Sequence, residues 1–455
     1  MRGAIRAAAA ATAALALGAG ALTGCAAGAG QFVGGGKHTI TVLMVNNPQM
    51  LELQKLTADH FTKQTGIKVR FVVKVEQDMR DTASTEFANQ SGVYDVATLS
   101  NFEIPYYAKA GWISDMESVA QDPEFDQSDI FPAMTQALSY DGKIYGEPFY
   151  GESSFLMYRK DVFQKLGIDV PPNPTWQQVA DWAAKVDQSQ SGMQGICLRG
   201  LAGWGDNLAP LTTVVNTMGG TWFDEDWNAQ VNTDGFKKAA NFYVDLVRQH
   251  GEPGAATFSF PQCLNAMQQG KVAMWYDSTA GAGSLEAPDS PVKGKVGYVA
   301  APHDQTPQAG WLYTWAWAVE KASSHQSDAM TFVKWASSKA YEKLVEQDTG
   351  SDTGGPTNVP AGKRISTYSD PAYLKVAAAF AKPTYNAIEN APAKSPGVQK
   401  RPYTGIQFVG IPSFTDFGTA CAKLFSSAVA GSISTDSMLN SCQKLAQDAG
   451  DRQRQ

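Results

Sequence analysis

The chain has 455 residues, 43% apolar and 18% charged, a globular balance with room for two or three domains and no disorder signature. Its formal net charge of −7 becomes more negative once Arg2 and Arg6 are removed, which argues against nucleic acid or anionic lipid as a partner. Five scattered histidines and cysteine spacings unlike a zinc site predict no metal and no cofactor, and no nucleophile elbow, phosphate loop or dinucleotide fingerprint points to an enzyme.

Arg2 and Arg6 precede an alanine-dominated apolar stretch, Ala7 to Leu22, which is too short for a convincing membrane span. The run Leu22-Thr23-Gly24-Cys25 resembles the lipobox of bacterial lipoprotein precursors. Residues 1–24 are therefore expected to be a signal peptide, with Cys25 the acylated first residue of the mature protein. Two or three acyl chains hold a protein durably where one binds only marginally. Residues 25–37 are Gly/Ala-rich and read as a flexible tether. The body beyond them is expected on the extracytoplasmic face of a bacterial cell membrane, as a monomer. An ordinary secretory signal with an incidental Cys25 is the alternative.

The body opens with an apolar strand, Thr39 to Val45. A helix from Pro48 follows, with Met50, Leu53, Leu56 and Phe61 on one stripe and Gly66 as its stop. Ile67, Val69, Phe71 and Val73 alternate as a second strand, so the three segments form a βαβ unit with parallel pairing. Tyr94 to Leu99 is a third apolar segment, closed by a polar loop from Ser100 to Glu103. Thr175 and Gln178 make a capping box before the helical face Val179, Trp182, Ala183 and Val186. A longer amphipathic helix carries Phe236, Ala240, Tyr243 and Val247 and ends at Gly251. Two strands, Lys271 to Tyr276 and Trp311 to Val319, precede a helix marked by Ala329, Phe332 and Ala336, and the chain ends in helices. The fold class is α/β, split into two lobes.

Cys421 lies on an apolar helical stripe with Phe417, Leu424 and Phe425, and Cys442 on the next, with Leu439 and Ala446, after a break at Gly431. Two antiparallel helices there would bring the sulfurs together. This favours Cys421–Cys442 and, by elimination, Cys197–Cys263, with four buried free thiols as the alternative.

Taken in order, "FTKQTGIKVRF", "YDVATLSNFEIPYYAKAGWISDM", "GKIYGEPFYGESSFLMYRKDVFQKLGIDVPPNPTWQQVADWA", "AMQQGKVAMW" and "WAWAVEKASSHQSDAMTFVKWASS" resemble family 1 of the ABC-importer solute-binding proteins, the group containing maltose-binding protein. "PFYGESSFLMYRKDVF", "GICLRGLAGWGDN", "GTWFDEDW" and "RPYTGIQFVGIPSF" are similar to its sorbitol/mannitol (polyol) branch. The resemblance runs from Thr39 to the end. It implies a type II periplasmic-binding-protein fold, two lobes joined by three hinge crossings and closing on a ligand between them. Crossings are expected near Pro148, near Pro302 to Trp311 and near Thr349 to Pro356. Lobe 1 would then comprise residues 38–147 and 311–350, and lobe 2 residues 148–310 and 351–455. The implied partners are a polyol or small carbohydrate and the transmembrane subunits of an ABC permease.

A polyhydroxylated ligand needs aromatic faces for its C–H surface and planar or ionised groups for its hydroxyls. Loops after strands that offer such groups supply the candidates. Asn46 and Asn47 follow the first strand, equally readable as turn caps before Pro48. Glu76 follows the second, whereas the neighbouring Arg80 reads as a solvated loop ion pair. Asn101 and Glu103 follow the third. Tyr150, Glu152 and Ser153 sit beside the first expected hinge. Arg199, Trp204, Asp206 and Asn207 share a Gly-rich loop that allows close backbone approach, with an N-cap and a core tryptophan as the plainer reading. Trp275 and Asp277 end a strand, and alternation lets only one of Trp275 and Tyr276 reach a ligand. Trp311, Trp315 and Trp317 share one face that reads mainly as core wall, with Trp311 and Tyr313 nearest the cleft. The leading expectation is a non-enzymatic receptor for a polyol or small sugar. The alternatives are a lipoprotein glycoside hydrolase using a carboxylate pair such as Glu152 with Asp206, and a sensory or adhesive lipoprotein of the same fold.

Overall fold

The computed structural model describes residues 38–189, 192–347 and 362–455. The expected signal peptide, Cys25 and the tether lie outside the described residues, as does the segment expected for the third crossing.

Eleven strands occur among the described residues. β1 (Thr39–Val45), β2 (Lys68–Lys74) and β3 (Val96–Ser100) come first, then the short hairpin of β4 (Ser139–Tyr140) and β5 (Lys143–Ile144). β6 (Glu147–Glu152), β7 (Ser154–Arg159), β8 (Gln194–Cys197), β9 (Val272–Ser278), β10 (Val296–Ala300) and β11 (Tyr313–Val319) follow. The β4–β5 turn is Asp141-Gly142 with φ of 47° and 75°, the left-handed pair that a two-residue hairpin loop demands. β2-β1-β3-β11-β6 make one sheet and β10-β7-β9-β8 the other, one in each lobe. β1 pairs in parallel with β2 and β3, as the βαβ reading requires, while β11 runs antiparallel to both β3 and β6.

Local chemistry fixes the helices that matter for the cleft. Asn47 Oδ1 accepts the amide of Met50 at 3.0 Å and Pro48 occupies the first turn, so the helix Pro48–Leu56 starts where β1 stops. Thr175 Oγ1 accepts the amide of Gln178 at 3.2 Å, and Gln178 Oε1 accepts the amide of Thr175 at 2.9 Å, a reciprocal cap for Trp176–Ser189. Ser259 and Gln262 do the same for Phe260–Gln268.

The chain changes sheets just past Pro148 and again between β10 and β11. Pro148 lies inside β6, paired with Ala316, and β6 continues to Glu152 opposite Tyr313. Ser154 then opens β7 opposite Ser278, so the chain changes sheets at Ser153. Pro148 does not end the strand because β6 is the sheet edge and its register with β11 shifts at this point, a place where a missing N–H is tolerated. Residues 363–366, expected in lobe 2, belong with lobe 1. Lys363 Nζ donates to Glu342 (2.5 Å), Arg364 to the carbonyls of Phe125 (2.9 Å) and Ser337 (3.2 Å), and Ser366 Oγ to Asp129 (2.6 Å). The following helix, Pro371–Ala377, buries Tyr373 in the lobe 2 cluster of Phe155, Met157 and Trp275.

Cys197, at the end of β8, is bonded to Cys263 (Cα–Cα 5.6 Å), and Cys421 to Cys442 across the helices Phe414–Val429 and Thr435–Gln453 (Cα–Cα 5.3 Å). That pair packs on the helix Asp234–His250, with Phe425 and Tyr243 ring centroids 5.2 Å apart. Among the described residues, no helix is long and apolar enough to cross a membrane.

Candidate functional site

Between the two sheets lies a cavity of about 310 Å³. It meets the carboxyl ends of β1, β2, β6 and β9, the loop after β8 and the start of β11, the position where open α/β sheets receive ligands. Asn47, Glu76, Tyr150, Glu152, Arg199, Trp204, Asp206 and Trp311 all line it, and so does Asn46.

On the lobe 1 side, Asn47 serves in both of its expected capacities. Its Oδ1 caps the helix while its Nδ2 donates to the Tyr150 hydroxyl at 2.9 Å. Arg80 is not a solvated loop residue: it lies in the helix Glu76–Ala88 and is 3% exposed. Glu76 Oε1 accepts its Nη2 at 2.8 Å and its Nε at 3.2 Å, while Nη1 donates to Glu103 and Nη2 also donates to the Tyr313 hydroxyl. Burial works against the Arg80 charge, but Glu103, Tyr313 and Glu76 outweigh it and hold the pKa well above its ordinary value. The guanidinium also stacks between Trp204 (4.3 Å) and Trp315 (4.6 Å).

On the lobe 2 side, Arg199 donates to Asp277 through Nε (2.9 Å) and Nη2 (2.6 Å), and through Nη1 to the carbonyl of Gly205 (3.1 Å). Ser278 Oγ donates to Glu152 Oε2 at 2.6 Å, and Ser259 Oγ donates to Asp206. Burial pushes the Glu152 carboxyl up to about 8, against the pull of Ser278 and Arg199. Burial also raises Asp206 to about 6, reinforced by the charge of Glu76.

Three residues that line the cavity carry a buried polar atom with no hydrogen-bond partner: Nε1 of Trp204, Nε1 of Trp311 and Oε1 of Gln407. In a folded interior such atoms are rare and call for an explanation.

Other expected residues stand behind the wall rather than on it. Glu103 anchors Arg80 and accepts the amide of Ser100 at 2.9 Å. Asp277 anchors Arg199 and also accepts Trp275 Nε1 at 3.0 Å. Trp275 itself is fully buried against Phe260, and Tyr276 turns to Ser154, so neither reaches the cavity. Asn101 ties β3 to the incoming β11 through the carbonyl of Leu312 and the amide of Thr314. Asn207 donates to the carbonyls of Gly200 (3.2 Å) and Ala422 (3.0 Å), a structural clamp.

The wall also contains Gln49, Gln77, Ser259, Gln262, Ser278 and Gln407, which were not singled out, and Trp315, which was expected as core wall. Two carried a signal. Trp311, Tyr313 and Trp315, at even spacing, are buried and also line the cavity, whereas Trp317 packs away from it against Phe149 and Phe332. Gln407 lies in "RPYTGIQFVGIPSF", one of the stretches similar to the polyol branch.

Comparison with known proteins is consistent throughout. A family model described as bacterial extracellular solute-binding protein matches residues 46–343. A mannitol-binding protein of Pseudomonas aeruginosa is 38% identical over 90% of this chain and 92% of its own length. An erythritol/L-threitol-binding protein of Mycolicibacterium smegmatis is 25% identical over 73% of this chain and 74% of its own. A solute-binding protein of Agrobacterium vitis with bound D-mannitol superposes with a TM-score of 0.86 at 38% identity, covering 91% of this chain and 99% of the other. A maltose-bound protein from T. maritima, at 20% identity and a TM-score of 0.76 over 90% and 99% of the two chains, shares the two-lobed type II fold. These relatives are solute-binding proteins, which overturns the alternative of a glycoside hydrolase acting through Glu152 and Asp206. On the family model and the 38% relative, the chain belongs to the bacterial extracellular solute-binding proteins.

Proposed function

We propose that this chain is the receptor of an ABC importer, closing its lobes on a polyol or small sugar and presenting it to a membrane permease. The observation that carries the ligand class is the set of unpartnered atoms on residues that line the cavity. The indole N–H groups of Trp204 and Trp311 and Gln407 Oε1 are matched to hydroxyls that both accept and donate. Arg199, Asp206, Glu152 and Glu76 add charged partners, and the indole rings offer faces to C–H groups. The mannitol named for the P. aeruginosa relative and the D-mannitol and ribitol bound in two structural neighbours support a linear polyol. No covalent chemistry is assigned to the site.

A thermal-shift screen of mannitol, sorbitol, arabitol, xylitol, glucose and trehalose tests this reading. At least one should raise the midpoint, because a ligand bound only by the native state stabilises it by mass action. No shift with any of them would remove the receptor reading.

The lipid anchor and monomeric state belong to the same proposal. Acylated Cys25 and a Gly/Ala-rich tether would hold the receptor near its permease. Cys25→Ser should release the protein into the medium, and retention on the membrane would refute the anchor.

A further inference from the structure

The charges around the cavity do not balance. Arg199 is taken up by Asp277 through two bonds, and Arg80 by Glu76 and Glu103. That leaves Glu152 and Asp206, both on the wall and only 7% and 5% exposed. Among the described residues each accepts a single side-chain hydrogen bond, from the hydroxyls of Ser278 and Ser259. The other titratable groups nearby are Tyr150, Tyr243, Tyr276 and Tyr313, which burial keeps in the neutral form. Five carboxylates thus face two guanidinium groups.

Buried carboxylates whose neighbouring guanidinium groups are bonded to other carboxylates are unfavourable, and the carboxyls respond by holding protons, Glu152 up to about 8 and Asp206 up to about 6. A positively charged ligand group would relieve the same imbalance, and a negatively charged one would worsen it. The unpartnered atoms of Trp204, Trp311 and Gln407, each at most 2% exposed, still offer partners to a hydroxylated chain.

We propose that the cavity also takes an aminopolyol as its ammonium form, answered by the carboxylates of Glu152 and Asp206, and turns away the matching sugar acid. The proposal rests on the polyol reading above. Binding of the ammonium favours the ionised carboxylates, so its affinity rises as pH increases through about 6 and toward about 8, and falls as they are protonated. A neutral polyol brings no charge to this balance.

Sorbitol, glucamine and gluconate share one six-carbon chain and stereochemistry and differ only at a terminal carbon, which is a hydroxymethyl, an ammoniomethyl or a carboxylate group. Calorimetric titration of the intact protein with each, and with mannitol, tests the proposal. Near neutral pH, glucamine should bind at least as tightly as sorbitol, and gluconate roughly a hundredfold more weakly. Lowering the pH by about two units should reduce the glucamine-to-sorbitol affinity ratio by roughly tenfold. Glu152→Gln, which keeps the shape and removes the charge, should lower that same ratio. Sorbitol or mannitol binding with glucamine tenfold weaker, or a ratio indifferent to pH, overturns the ammonium site and leaves the polyol reading standing. Failure of both hexitols and glucamine overturns both.

Discussion

The guanidinium of Arg80, in lobe 1, lies 4.3 Å from the ring centroid of Trp204, in lobe 2, and that ring stands 4.5 Å from Phe102 of lobe 1. The indole from the lobe 2 loop is thus seated against the other lobe while also packing on Phe414 of its own, and its N–H has no hydrogen-bond partner. In the proposed reading, contact between the lobes and contact with the ligand share this one side chain.

Trp204→Ala should therefore weaken both. Affinity for the polyol is expected to drop by tenfold or more, about 1.4 kcal/mol. Stability should fall by about 3 kcal/mol, because a 1%-exposed indole packed on Phe102 and Phe414 is removed. Trp204→Phe keeps a ring there and removes the N–H, so it should lose affinity with little change in stability. Calorimetry beside urea melts separates the effects, and an affinity unchanged in Trp204→Phe would assign the whole effect to packing.

Arg199→Ala should destabilise the protein as well as weaken binding. It strands the buried Asp277 carboxylate, which retains only the indole of Trp275 and the amide of Ser278. Breaking a buried pair at one end costs roughly 3–5 kcal/mol. Arg199→Met combined with Asp277→Asn should recover more than half of that loss in urea melts. A double variant as unstable as the single one would contradict this account of the pair.

The scaffold was more legible in the sequence than the site. Apolar periodicity and caps located β1, β2 and the helices near them, because a strand or an amphipathic helix is encoded within a few adjacent residues. Both cysteine pairings follow from helix stripes and elimination, a local pattern of the same kind. The wall of the cavity depends on which side of a strand end faces the cleft, and neighbours far along the chain decide that. Glu103 and Asp277 carry the right chemistry but stand one layer back, holding Arg80 and Arg199. Arg80 read as a loop cation because the helix starting at Glu76 was not recognised. Pro148 read as a hinge because its place at a sheet edge is a long-range fact.

Glu147 gives a pH prediction. Its carboxylate is fully buried in β6 opposite Trp317, and neither oxygen has a hydrogen-bond partner. Burial raises its pKa from 4.5 to about 8, only partly opposed by Arg364 and Lys363. The folded state thus holds a proton that the unfolded state has released. The associated stability is fully present below about 4.5 and is lost as pH rises through about 8. Glu147→Gln should stabilise the protein at alkaline pH, by on the order of 3 kcal/mol, and have little effect under acid conditions. A wild-type-to-variant difference in melting midpoint that stays constant with pH would contradict it.

The Cys197–Cys263 bond ties the end of β8, just before Arg199, to the helix capped by Ser259. Cys263→Ser should cost roughly 2–4 kcal/mol, as expected for a closed loop of this length. It should also lower ligand affinity, because Arg199, Trp204 and Ser259 are positioned from these two elements. Calorimetry on the variant checks this, and unchanged affinity would show that the loop is positioned without the bond.

Calorimetric titration of the wild-type protein with D-mannitol tests the central claim most directly. Lobes that close on one cavity predict a single saturable site per chain, with affinity reduced by Trp204→Ala. No binding heat with mannitol, sorbitol or ribitol, or binding untouched by loss of the Trp204 indole, would contradict it.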